Sequence, residues 1–68
     1  MDYVVVIEKT ENGFGAYVPD LPGCIAAGDT REETETLIRE AVSYHVEMLR
    51  ENGDAVPEPR ATASLASA

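Results

Sequence analysis

The first half of the chain alternates between hydrophobic and polar positions with the period of a β-strand. β-branched side chains dominate Asp2–Lys9, which predicts a first strand over these residues. Asn12-Gly13 supplies the positive φ angles of a tight hairpin turn, and a second strand is expected over Phe14–Val18. The short hydrophobic segment Cys24–Ala27 returns antiparallel to the second strand. The pattern therefore predicts a three-stranded meander.

The second half of the chain has the period of an amphipathic helix. Thr30 followed by Glu33 matches the capping box, in which the Thr hydroxyl accepts a backbone N–H and the Glu carboxylate reaches back to the cap. Hydrophobic-face positions then recur every three or four residues at Leu37, Ile38, Ala41, Val42, His45, Met48 and Leu49. Asn52-Gly53 supplies a left-handed cap at the other end. One helix is predicted over Arg31–Glu51, packed on the sheet.

The end of the chain is its least regular part. Residues 60–68 are rich in Ala and Ser, and the weak alternation of Thr62–Leu65 suits either an edge strand or a flexible tail. We favour a short fourth strand. The sequence thus predicts an α+β fold in the order β-β-β-α-β, with one domain over residues 1–59 and a strand or tail over residues 60–68.

Length and charge narrow the class of protein. The chain has 68 residues, with 13 Asp and Glu against five Lys and Arg, and a formal net charge of −8. A domain this small has a marginal core, so we expect a homodimer or a higher homo-oligomer. The few cations are scattered, which disfavours binding to nucleic acid and favours a basic partner. One cysteine, no basic start before an apolar segment and no run of about 20 apolar residues predict a cytoplasmic protein outside any membrane.

Few residues could support catalysis. Cys24 and His45 are the only thiol and imidazole, but both lie in hydrophobic segments, which favours core packing over a nucleophilic dyad. The carboxylates outside the helix that could hold Mg²⁺ are Asp2, Glu8, Asp20 and Asp29. Turn chemistry accounts for the last two without a metal. We therefore expect no catalytic residue, no metal site and no cofactor, with a residual metal-dependent nuclease as an alternative.

The loop between the second and third strands is the most informative stretch. Pro19–Cys24 contains two prolines and a glycine, so strand pairing stops and the backbone is held in advance of any binding. The loop offers Asp20, Leu21 and Pro22 as candidate partner-binding residues. A purely structural corner is the alternative.

Several segments together resemble the HicB-like antitoxin family in order and spacing. They are Tyr17–Cys24, Gly28–Thr30 with Glu32 and Glu33, the helix from Glu40 through His45 to Leu49, and Gly53 before Pro57–Pro59. The resemblance covers residues 3–59. The positions that we assign to its structural motif are Pro19, Gly23, Cys24, Gly28, Thr30, Glu33 and Gly53.

The resemblance implies a fold and a role. The fold is a β-β-β-α-β, partial ribonuclease-H-like domain that assembles as dimers or higher oligomers. The role is to neutralise HicA, a small basic toxin that resembles a double-stranded-RNA-binding domain and cleaves messenger RNA with a histidine. Many relatives also carry a C-terminal DNA-binding module, and this chain ends too soon to hold one, so we expect no direct DNA binding by this chain alone. A stand-alone oligomeric module with another binding function is the alternative.

Overall fold

The computed structural model describes residues 1–68 and contains three strands and one helix. β1 spans Val6–Lys9, β2 spans Phe14–Tyr17, β3 spans Ile25–Gly28, and α1 spans Arg31–Glu51. The strands form one antiparallel sheet in the order β1-β2-β3, and α1 packs against all three. The predicted α+β class, the meander and the bounds of the helix are therefore confirmed.

β1 is shorter than the hydrophobic pattern predicted. The register pairs Val6 with Tyr17, and β2 ends at that residue. The chain then enters the Pro19–Cys24 loop, so it presents no further strand backbone for Asp2–Val5 to pair with. The predicted strand is consequently wrong over its first four residues, while the side chains of Tyr3 and Val5 still pack on the core.

The hairpin turn between β1 and β2 closes in a different way from the prediction. Neither Asn12 nor Gly13 has the positive φ that the sequence indicated. The turn is closed instead by the N–H of Thr10, which donates to the carbonyl of Gly13 at 2.8 Å. Glycine is needed at position 13 for space, because a Cβ there would collide with the backbone carbonyl oxygen of Gly28.

The core lies between α1 and one face of the sheet. Its buried hydrophobic members are Ala16, Val18, Leu21, Cys24 and Ile38. The paired residues Ile7, Ala16 and Ala26 supply the sheet side, one from each strand. Thr34 is the one buried polar residue, and its hydroxyl donates to the carbonyl of Thr30 at 2.8 Å. Every buried side-chain polar atom is thus hydrogen-bonded.

Both ends of α1 are capped. The Thr30 hydroxyl accepts the N–H of Glu33 at 3.1 Å, and the Glu33 carboxylate accepts the N–H of Asp29 at 3.3 Å, one residue earlier than a capping box predicts. Gly53 has φ 74°, and its N–H donates to the carbonyl of Arg50 at 3.1 Å. No helix in the structure combines the length and the apolar character needed to cross a membrane.

The expected fourth strand does not form. Residues 52–68 contain neither strand nor helix beyond the turn that follows α1. Asp20 accepts hydrogen bonds from the backbone amides of Arg60 and Ala61. Every residue after Ala61 is exposed, and the side chain of Leu65 is fully exposed. The Ala and Ser side chains of this segment bury too little apolar area to hold it on the sheet.

Candidate functional site

The loop Pro19–Cys24 folds into a corner that is closed by its own backbone. The N–H of Leu21 donates to the carbonyl of Val18 at 3.1 Å, and the N–H of Cys24 donates to the carbonyl of Leu21 at 3.0 Å. Gly23 has φ 84°, a left-handed conformation that side chains disfavour. A Cβ at Gly23 would have no atom within 4 Å, so the backbone conformation, and not a lack of space, requires glycine there.

The three residues predicted to contact a partner divide between the core and the surface. Leu21 has no exposed surface and packs in the core cluster with Ile38. A side chain without exposed surface cannot itself touch a partner. The predicted role of Leu21 as a contact residue is therefore corrected: it supports the loop from within the core. Pro22 is exposed and Asp20 is half-buried, which leaves these two as the contact candidates in the loop.

Asp20 also joins the loop to the C-terminal tail. Its Oδ2 accepts the N–H groups of Arg60 and Ala61, both at 2.9 Å. Nearby, the hydroxyl of Tyr3 donates to the carbonyl of Pro57 at 2.5 Å. Since Tyr3 precedes β1 and Asp20 follows β2, both anchors lie beyond the same end of the antiparallel ladder. Nothing in the sequence pattern links residues 40 positions apart, and this role of Asp20 was therefore not predicted.

Gly28 marks a close approach between the end of β3 and the start of α1. A Cβ at this position would lie 2.7 Å from the hydroxyl oxygen of Thr34 and 2.9 Å from Oε1 of Glu33. The Thr34 hydroxyl is already fixed by its bond to the carbonyl of Thr30. The motif residues Gly28, Thr30 and Glu33 therefore act together to join strand and helix.

The thiol candidate for catalysis is buried, and the carboxylate candidates for a metal site are not clustered. Cys24 is 3% exposed, and burial raises the pKa of its thiol above the ordinary value. A buried, protonated thiol is a poor nucleophile and a poor metal ligand. Asp2, Glu8, Asp20 and Asp29 form no metal-binding cluster, because no group of three or more His, Cys, Asp or Glu side chains is placed to hold an ion.

A groove runs between α1 and the free edge of β1. It has a volume of about 550 Å³, and its apolar walls include Val5 and Ile7. Arg31 and Arg39 line the same groove, and each contacts the carboxylate of Glu35, at 3.7 and 2.6 Å. This side of the helix therefore carries paired charges.

The face of the sheet opposite α1 has no cover. Val6, Tyr17 and Ile25 are in register across the three strands and alternate with the core-facing residues. Tyr17 is 43% exposed and Ile25 is 71% exposed. The alternation in the sequence indicated two hydrophobic faces for the first strand but not which of them would stay open. An uncovered hydrophobic row of this kind is typical of protein contacts.

Comparison with known proteins identifies a family. The model described as "HicB_like antitoxin of bacterial toxin-antitoxin system" matches residues 3–68. An uncharacterized 14.9 kDa protein of Haemophilus phage HP1 is 41% identical over 58 residues, which are 85% of this chain and 44% of that protein. Antitoxin HicB 2 of Photorhabdus laumondii is 32% identical over 59 residues, 87% of this chain and 42% of that antitoxin. The chain thus spans less than half the length of these two relatives.

A solved structure agrees in fold and in sequence. A chain of the HicA3 and HicB3 toxin–antitoxin complex superposes with a TM-score of 0.74 and 37% sequence identity. The match covers 87% of this chain and 70% of that chain. Together with the family match over almost the whole sequence, it confirms the resemblance seen in the motif residues. The chain belongs to the HicB-like antitoxins of bacterial toxin–antitoxin systems.

Proposed function

We propose that this chain binds and neutralises a small basic HicA-like toxin that cleaves messenger RNA. The observation that carries the proposal is the match to a chain of a solved toxin–antitoxin complex, with 37% identity over 87% of this chain. Identity at this level, spread over nearly all of the fold, supports a shared type of partner as well as a shared scaffold. The proposed action is non-catalytic and takes place in the cytoplasm.

The charge of the chain supports a basic partner. A toxin that acts on RNA holds phosphates with Lys and Arg, so its RNA-binding surface is basic. Both salt bridges in this chain use Glu35, so the other Asp and Glu residues are free of ion pairs. Their unpaired negative charge would accelerate association with a basic surface, and a partner that covers that surface would block RNA from it.

Within the loop, Asp20 and Pro22 are the residues that we propose for contact. Pro22 is exposed, and the loop backbone around it is already ordered by internal hydrogen bonds, which lowers the entropy lost on binding. Oδ2 of Asp20 is occupied by the tail, while Oδ1 accepts no hydrogen bond within the chain. That free oxygen can accept a bond from a Lys or Arg of the toxin. Leu21 supports both contacts from the core.

We also propose that the chain works as a homo-oligomer. Only six of the 68 residues are buried, which is a small core for a stable monomer. The open row Val6, Tyr17 and Ile25 offers hydrophobic surface for association. Sedimentation equilibrium should show a species of at least twice the chain mass, and a strictly monomeric chain at high concentration would contradict this part of the proposal.

The test of the antitoxin proposal is neutralisation of a purified toxin. The HicA-like protein encoded in the same genome is incubated with messenger RNA, alone and with a stoichiometric amount of this chain. We expect the chain to stop cleavage, and we expect added salt to weaken the complex because charge contributes to binding. As the control, the toxin and messenger RNA are incubated with an unrelated acidic protein of similar size in place of this chain, which separates specific neutralisation from the effect of charge alone. Undiminished cleavage in excess of this chain would overturn the proposal.

A further inference from the structure

One row of exposed residues along α1 alternates acidic and hydrophobic side chains. The row consists of Glu33, Leu37, Glu40, Tyr44, Met48 and Glu51, all of them exposed. Their spacing of three or four residues puts them on one side of the helix. We refer to this row as the acidic flank. The sequence pattern alone places Leu37 and Met48 on the hydrophobic face that covers the sheet, whereas both are exposed in the structure.

The acidic flank begins where β3 leads into α1 and lies away from the groove beside β1. Its first member, Glu33, is next to Gly28 at the end of β3. Arg31 and Arg39 lie on the other side, in the groove beside β1. Arg50 lies on that side as well, where it lines a second groove together with Met1 and Tyr3. The basic side chains Arg31, Arg39 and Arg50 are therefore confined to that side of the helix, and the acidic flank contains no Lys or Arg.

The hydrophobic members of the flank are more exposed than a core role requires. Tyr44 is 70% exposed, and Leu37 and Met48 are each 37% exposed. These three side chains are separated by one or two turns, so they can form a continuous strip along the helix. Tyr and Met are enriched at the centres of protein–protein interfaces, and tyrosine is one of the residues that most often dominate binding energy.

We propose that the acidic flank of α1 is the surface on which the basic toxin docks. This inference rests on the proposed function. Glu40 and Glu51 form no ion pair within the chain, so a basic partner can neutralise them. A second copy of this chain, placed flank to flank, would instead bring glutamates against glutamates, and RNA or DNA would bring phosphates against them. A basic protein surface with an apolar centre is the one occupant that complements both parts of the row.

The neighbouring strand adds backbone contacts to this surface. β3 is an edge strand, so one side of Ile25–Gly28 has no strand partner. Unpaired N–H and C=O groups at a sheet edge bind extended segments of other proteins. A toxin that rests on the acidic flank can therefore also reach this edge. The Pro19–Cys24 loop leads directly into β3, which connects the loop contacts proposed above with the flank.

The experiment compares two double variants that have the same change in charge. The test variant is Glu40→Lys with Tyr44→Ala, within the flank. The control is Glu58→Lys with Leu65→Ala, which also replaces one exposed acid and one exposed hydrophobic residue but lies in the tail. Both are titrated by calorimetry with the HicA-like protein encoded in the same genome. We expect the test variant to bind about 30-fold more weakly or worse, as for the loss of an interface hot spot, and the control within about threefold of the unmodified chain.

Each outcome separates the two proposals. If the unmodified chain does not bind the toxin, the proposed function itself fails, and the docking surface fails with it. If the unmodified chain binds but the test variant binds as the control does, the docking surface is refuted while the antitoxin function stands. Sedimentation of the test variant alone tests whether a second copy of this chain occupies the flank instead. A loss of self-association in this variant would show that the flank joins copies of the chain and would overturn the assignment to the toxin. Unchanged helical circular dichroism confirms that the variants are folded.

Discussion

Leu21 is the residue at which a single truncation should be most damaging, because it anchors the loop in a very small core. It has no exposed surface, a property it shares with Ile38 and Thr34. A Leu→Ala change at such a position costs about 2–5 kcal/mol of unfolding free energy. The whole domain, at its length, has a stability on the order of 3–10 kcal/mol. Few neighbours are available to fill the cavity, so we expect a loss of about 3 kcal/mol.

The assay is thermal unfolding followed by circular dichroism at one fixed protein concentration. For a domain of this length, about 3 kcal/mol corresponds to a fall in the unfolding midpoint of roughly 12–24 °C. The matched control is Leu65→Ala, the same chemical change at a fully exposed position, which should shift the midpoint by no more than about 4 °C. If the unfolding midpoint of the Leu21→Ala variant falls no further than that of the Leu65→Ala variant, then Leu21 does not hold the loop in the core and our description of the loop is refuted.

Four further changes test the loop, the helix junction and the buried thiol. Asp20→Ala removes the acceptor of two tail amides, so hydrogen exchange at residues 60 and 61 should accelerate by about tenfold or more while exchange in α1 stays unchanged; equal protection in the variant would contradict the clamp. Gly28→Ala places a Cβ against Thr34 and should lower the urea midpoint by the equivalent of about 1–3 kcal/mol. Thr30→Ala removes the helix cap and should cost about 1 kcal/mol in the same titration. Since burial raises the pKa of Cys24, the thiol stabilises the fold fully below the ordinary pKa that it has in the unfolded chain, and that contribution is lost as the pH rises through the higher folded pKa; Cys24→Ala should remove this part of the alkaline decline in the urea midpoint.

The helix could be predicted from the sequence to the residue because its signals are local. Thr30 and Glu33 mark its start within one turn, and Gly53 marks its end through a backbone conformation that glycine adopts readily. The structure shows both devices in use. Capping requires no knowledge of what the rest of the chain does, so a short window of sequence contains all the information needed.

The strands could be predicted in number and order but not in extent, because pairing is not local. Asp2–Val5 has the hydrophobic pattern of a strand, yet its neighbour is the Pro19–Cys24 loop, which provides no ladder. The tail is a second example of a strand-like pattern that lacks a partner. Thr62–Leu65 alternates, but alternation stabilises a strand only when a partner edge and sufficient hydrophobic area are present. Whether a partner exists is a property of the fold as a whole.

The loop that carries the family motif could be located from the sequence, but the roles of its residues could not. Two prolines and Gly23 predict a rigid corner, and the structure contains one. The pattern offered Asp20 and Leu21 equally as surface contacts, and only the packing shows that Leu21 faces the core while Asp20 reaches the tail. Side-chain direction in an irregular loop follows no fixed period, unlike that in a strand or helix.

The acidic flank illustrates the remaining limit of sequence interpretation. The spacing of Glu33, Glu40 and Tyr44 on one side of α1 and of Arg31 and Arg39 on another is present in the sequence and needs only helical geometry. The hydrophobic period locates the helix face that covers the sheet, but the sides to its left and right are equivalent until the order of the strands is known. The placed strands break this equivalence, since Arg31 and Arg39 line the groove beside β1, while Glu33, the first residue of the flank, adjoins Gly28 at the end of β3. A docking surface made of one helix side and one strand edge therefore becomes visible only when both elements have been placed.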